Sequence, residues 1–113
     1  MMKKIFFSYT LRDGNIDKNF LFSLKNWIIA QGYICYIDLF DNNYNEKEFQ
    51  KKLVNILKTC DIFFRIDSVG YLNSIWTKKE LEEAEANNIQ IVTMPSDKLK
   101  KMISNNESIT KYL

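Results

Sequence analysis

The sequence contains no histidine. That absence removes histidine-based zinc sites, Ser-His-Asp triads and Cys-His nucleophile pairs from the chemistry open to the chain. Any hydrolytic activity has to rest on carboxylates. Cysteine occurs only twice, at Cys35 inside an apolar run and at Cys60 where a helical pattern ends, with no C-x-x-C spacing; both read as small buried hydrophobes. Glycine is scarce at three residues and proline occurs once, and no repeat, low-complexity stretch or linker breaks the chain. Polybasic patches are missing as well. Sixteen basic and 14 acidic residues are interspersed, for a net charge of +2, so neither nucleic acid nor anionic lipid is indicated as a partner. Met1-Met2-Lys3-Lys4 is followed by only three apolar residues before Ser8, which is no signal-peptide pattern, and no apolar run approaches a membrane span. The expected location is cytoplasmic, with no membrane partner and no metal.

What is present suffices for a core. The 113 residues, 46% hydrophobic and 14% aromatic, fit one domain able to bury roughly two thirds of its unfolded surface without metal or disulfides. Short apolar runs alternate with helical stripes. Ile5-Phe6-Phe7 reads as a buried strand entering the polar loop Ser8 to Gly14. Apolar residues at 16, 20, 24, 27 and 28 predict a helix, with Asn15 or Asp13 as N-cap and Gly32 as its stop. Tyr33 to Leu39 predicts a second strand that delivers Asp38 at its carboxyl end. Asn45 and Glu48 resemble a capping pair for a helix striped by Phe49, Leu53, Ile56, Leu57 and Cys60. Ile62 to Ile66 is a third strand, a helix carrying Trp76 and Glu80 runs to about Asn87, and Ile89 to Met94 is a fourth strand ended by Pro95. Asp97 to Ile103 predicts a short helix. Residues 1–103 are then the domain, and 104–113 a polar tail.

This alternation calls for an α/β fold with a parallel sheet covered on both faces; the strand order is taken as 2-1-3-4, with at most a reduced fifth element. In such sheets ligands sit outside the carboxyl ends of the strands, where the strand order reverses. The crevice between strands one and three would be walled by Ser8 to Asp13 and Asp67 to Trp76, with Glu80 just behind.

Trp76 and Glu80 stand four residues apart and share a helix face. Thr77-x-x-Glu80 also matches a capping box, in which Glu80 would merely reach back to a backbone N–H. Trp76 taken singly is more often a half-buried core aromatic, Asp38 could simply cap its loop, and Ser8 and Tyr9 could simply end a strand. Together the positions converge on one end of the sheet. An aromatic face there could stack a planar ring, while a carboxylate stabilises a developing positive charge. That pairing suits cleavage of an N-glycosidic bond through an oxocarbenium-like transition state. A cationic pyridinium leaving group, as in NAD⁺, departs neutral and needs no acid.

Phe6-Phe7-Ser8-Tyr9 with Asp13 resembles the first box of Toll/interleukin-1 receptor (TIR) domains, and Tyr36-Ile37-Asp38 the aspartate ending their second strand. Ser68 to Leu81 is similar to the family's S-x-x-Y-x-x-S-x-W-x-x-x-E-L stretch. The matches run in order over roughly residues 3 to 95. The resemblance implies a flavodoxin-like TIR fold, a three-layer sandwich, and, for bacterial and plant members, NAD⁺ glycohydrolase or ADP-ribosyl cyclase activity with Glu80 as the catalytic residue. NAD⁺ would be substrate rather than cofactor, so no cofactor is expected. Ser8, Tyr9, Arg12, Asp38, Ser74 and Trp76 would bind the substrate. Bacterial stand-alone domains of this kind resemble antiphage signalling enzymes whose product a downstream effector senses, and family members commonly work as homo-oligomers through TIR–TIR contacts. Two other readings share the fold: a non-catalytic TIR adaptor, and a nucleoside deoxyribosyltransferase-like enzyme, against which the Ser-Tyr box and Ser-x-Trp spacing count.

Overall fold

Ile5, Phe6 and Phe7 can form a central strand because side chains on both of its faces find cover. In the computed structural model, which describes residues 2–11, 14, 16–37 and 46–113, β1 (Lys4–Ser8) lies between β2 (Ile34–Ile37) and β3 (Ile62–Asp67), and β4 (Gln90–Pro95) flanks β3. All pairings are parallel, as the strand–helix alternation predicts, and the order is β2-β1-β3-β4, the one assumed from the sequence. Among the described residues the sheet has four strands, without a reduced fifth one.

Among the described residues four α-helices cover the sheet: α1 (Lys18–Ala30), α2 (Glu46–Lys58), α3 (Ile75–Ala86) and α4 (Ser96–Ser104). Successive strand residues point to opposite faces, and two separate cores follow from that alternation. One joins Ile5, Phe7, Phe64 and Ile66 to Leu24 and Ile28 of α1 and Leu99 of α4. The other joins Phe6, Tyr36 and Phe63 to Leu53 and Leu57 of α2 and Ala84 of α3. In the second core Phe6 stacks on Tyr36 at 5.2 Å and on Phe63 at 5.4 Å, its register partners in β2 and β3. Cys60 is buried there and behaves as the small hydrophobe expected; burial pushes its thiol pKa up, despite the lowering influence of Lys4.

The first helix begins two to four residues later than the apolar stripe suggests. Its N-cap is Asp17 rather than Asn15 or Asp13, and the Asp17 carboxylate accepts from Phe20 N at 2.8 Å. Ile16 precedes the cap and is buried in the same core as Leu21, the pairing of a hydrophobic staple, so the apolar residue belongs to the approach and not to the helix. Asp17→Ala is expected to lower stability by about 1 kcal/mol, read from the shift of a denaturant midpoint at constant slope.

Three of the helices, α1, α3 and α4, end by one rule. At α1 the left-handed residue is Gly32, the stop expected from sequence, with Tyr33 N donating to Ile28 O and Gly32 N to Ile29 O. Asn88 and Asn106 take the same conformation after α3 and α4, with the same paired bonds. Asparagine tolerates positive φ better than other residues with a side chain, so this Schellman closure needs no glycine.

The last turn of chain corrects the tail expectation. Residues 105–113 fold back onto α1: Trp27 Nε1 donates to Glu107 O at 3.0 Å, Ile109 N donates to Gln31 Oε1 at 2.8 Å, and Ile109 is fully buried. Polar composition hid one anchoring isoleucine. No helix among the described residues is long and apolar enough to cross a membrane.

Candidate active site

Ser8 ends β1 on the face that α2 and α3 cover, opposite Arg65 in the parallel register with β3. Beyond Phe6 the strand would next bury an apolar side chain; it buries a hydroxyl instead. A polar group at such a position has to be bonded. Two partners come from the segment after β3. Ser8 Oγ lies 2.5 Å from Tyr71 Oη and donates to Glu80 Oε1 at 2.9 Å. Ser8 has one proton and gives it to Glu80, so the phenol is the donor in the first bond. The result is a directed chain, Tyr71 to Ser8 to Glu80, with Ser8 and Tyr71 at 0% exposure and Glu80 at 6%.

The local fold fixes both ends of that chain. After β3, Tyr71–Asn73 makes a single 3-10 turn, with Tyr71 N donating to Ser68 O at 3.1 Å. Ser74 then caps α3, its hydroxyl accepting from Thr77 N at 3.5 Å. Thr77 Oγ1 donates to the Tyr71 carbonyl and lies 3.0 Å from the Ser74 carbonyl, tying the turn to the helix. Tyr71 and Glu80 are thereby carried on one unit. The capping-box reading of Glu80 is overturned: the cap is Ser74, Thr77 is already the third helical residue, and Glu80 turns inward to Ser8. Ser74→Ala is expected to cost about 1 kcal/mol, measured as a lowered melting temperature.

Electrostatics keep Tyr71 protonated. Burial pushes its pKa far above the ordinary phenol value, the Ser8 hydrogen bond pulls it down, the Glu80 charge raises it, and Arg65 lowers it. The Arg65 guanidinium lies 4.6 Å from the Tyr71 ring centroid and bonds Asp67 Oδ1 at 3.0 Å.

Of the residues expected at the site, Ser8 and Glu80 are brought into direct contact. Ser8 is too deeply buried to bind substrate itself and instead orients the carboxylate. Trp76 is half-buried against the Phe6 core with Lys79 Nζ 5.2 Å from its ring, one turn before Glu80 on the same helix. Ser74 serves as the cap. Tyr9 packs half-buried against the α1 core, on the opposite side of the sheet from α3. Arg12 and Asp38 lie outside the described residues. Two participants were missed, Tyr71 and Arg65. Tyr71 stood in the S-x-x-Y match without being given a role, and Arg65 is a cation inside the apolar run Ile62 to Ile66, a placement that itself signals a special environment. Among the described residues no cluster of three or more Cys, Asp and Glu could hold a metal ion.

No protein-family model matches the sequence, and no curated protein matches it. Among solved structures, the chain is similar to the CMP N-glycosidase BcmB of Clostridium botulinum, with a TM-score of 0.62, 19% identity, and coverage of 93% of this chain and 83% of that one. At that identity the likeness carries the fold: a parallel α/β sheet flanked by helices.

Proposed function

We propose that this chain cleaves the N-glycosidic bond of a nucleotide, with Glu80 as the catalytic residue and NAD⁺ as the substrate. The observation that carries the reading is the Glu80 carboxylate, almost wholly withdrawn from solvent and held from one side by the Tyr71–Ser8 chain at the ligand-binding end of the sheet. Withdrawing a carboxylate from water is costly, and a fixed anion in a poorly solvated slot suits a cationic transition state. As the C1′–N bond breaks, its electron pair goes to the nicotinamide nitrogen, which leaves neutral. Glu80 stabilises the positive charge left on the ribosyl carbon, and water then adds there, releasing ADP-ribose and a proton. Ser8 and Tyr71 hold the carboxylate in place throughout. The likeness of Ser68–Leu81 to the TIR stretch supports NAD⁺ in particular, with Trp76 beside the departing ring.

CMP is the second reading, favoured by the glycosidase among similar folds. Cytosine, unlike nicotinamide, leaves poorly unless protonated, and the Tyr71 phenol is fully buried behind Ser8, out of reach of a leaving base. That chemistry favours the pyridinium nucleotide. The test incubates concentrated protein with NAD⁺ or CMP and follows free nicotinamide or cytosine by chromatography. Nicotinamide release that Glu80→Gln removes is the expected result. Release of cytosine alone moves the substrate to CMP, and inactivity towards both across a wide concentration range leaves a TIR-like interaction module as the better account.

A further inference from the structure

Arg65 is poorly satisfied by its own protein. A guanidinium carries five N–H donors. Among the described residues its one hydrogen-bond partner is Asp67, and its buried Nε finds no acceptor. Ser68 Oγ, three residues on, is likewise buried without a partner. Unsatisfied buried polar groups are rare because each forfeits its bonds to water, and these two fall together where β3 runs out. That is the end of the sheet at which Glu80 sits.

The guanidinium is also held ready. Its Cζ lies over the Tyr71 ring at 4.6 Å from the centroid, Asp67 ties one terminal nitrogen at 3.0 Å, and 19% of the side chain remains exposed. Tyr71 in turn bonds Ser8, which bonds Glu80. An anchored cation thus stands one ring away from the Ser8–Glu80 pair. The geometry points to Arg65, with Ser68, as the subsite for a phosphate group of the substrate, bound while Glu80 faces the ribosyl carbon. A planar fork of N–H donors matches phosphate oxygens, and a serine hydroxyl adds one donor beside it. This inference rests on the N-glycosidase reading and deepens it: it assigns the side chains that recognise the substrate's phosphate, so that the bare nucleoside is a poor substrate.

The test compares kcat/KM for NAD⁺ against nicotinamide riboside, and for CMP against cytidine, in wild type, Arg65→Met, Arg65→Lys and Ser68→Ala. The phosphorylated-to-dephosphorylated ratio is expected to fall about tenfold to hundredfold in Arg65→Met, less in Arg65→Lys, and a few-fold in Ser68→Ala. An equal loss on both substrates, with the ratio unchanged, overturns the subsite and leaves Arg65 as a support for Tyr71. A second measurement needs no turnover: inorganic phosphate and pyrophosphate titrated against labelled protein, with backbone amide shifts followed by NMR. Saturable shifts around residues 65–74, lost in Arg65→Met and partly kept in Arg65→Lys, are expected; their absence in the wild type assigns the unpaired donors to water and overturns the proposal. Pyrophosphate binding without cleavage of any nucleotide sinks the glycosidase reading but not the anion site. Cleavage with an unchanged ratio sinks only the site.

Discussion

Glu80→Gln is expected to slow nicotinamide release by about a thousandfold while moving the melting temperature by no more than a few degrees. The two halves of that result belong together. Glutamine keeps the shape of the side chain and an oxygen in the place where Ser8 Oγ donates, so the Tyr71–Ser8 chain retains its end point. What disappears is the negative charge. If Glu80 only closed a buried hydrogen-bond network, the substitution would be nearly silent in activity, because the network survives it. If the carboxylate stabilises positive charge at the ribosyl carbon, the transition state loses its main electrostatic support and the ground state loses little. Glu80→Ala separates the effects from the other direction: it also strands the buried Ser8 hydroxyl, so it should lose stability as well as activity. Chromatographic assay of nicotinamide beside a thermal melt of the same preparation reads both quantities.

The contrast between charge and shape also explains which parts of the site were legible in the sequence. Periodicity located the strands to within a residue or two, and the strand–helix alternation called for a parallel sheet, because burial on both faces leaves an apolar run few other options; the strand order was an assumption that the fold bears out. The approach of Ser8 to Glu80 was accessible as convergence, since both were placed at the carboxyl end of the sheet. Their roles were not. A serine after a buried strand looks the same in sequence whether it meets substrate or lies beneath it; parity decides, and Ser8 shares the inward face with Phe6. The same parity sends Tyr9 to the α1 side. For Glu80 the misleading signal was local: Thr77-x-x-Glu80 fits a capping box, but Ser74 three residues earlier fits a cap equally well, and the 3-10 turn hands the cap to Ser74. Ile109 was overlooked because a lone apolar residue in a polar stretch has no period. Its burial depends on Trp27 and Gln31 waiting at the end of α1.

In alkali, the folded chain is expected to lose stability through Tyr71 at up to about 1.4 kcal/mol per pH unit above pH 10. Burial is the main cause: the phenolate form of Tyr71 is penalised inside the protein, and the neighbouring Glu80 charge adds to the penalty, while the Ser8 hydrogen bond and Arg65 act against it. The unfolded chain releases this proton near the ordinary phenol value, whereas the folded chain keeps it. Above that value the unfolded state therefore binds fewer protons, and rising pH favours it. The stabilising contribution is complete below pH 10 and is lost as pH climbs towards the raised folded value. Cys60 has the same sign, also from burial, and begins near its ordinary value of 9.0, so a Cys60→Ala background isolates the phenol. Tyr112 is half-buried and its pKa is lowered, chiefly by its hydrogen bond with Lys98, which gives it the opposite sign. Tyr71→Phe removes the titration at the cost of one buried hydrogen bond, about 1 kcal/mol at neutral pH. Denaturant midpoints should then favour the wild type near neutrality, meet within about one pH unit above 10, and cross beyond it, with Tyr71→Phe the more stable protein in stronger alkali. Parallel curves through that range would mean that Tyr71 ionises as freely in the folded chain as in the unfolded one, and that the chain from Tyr71 through Ser8 to Glu80 is open to water.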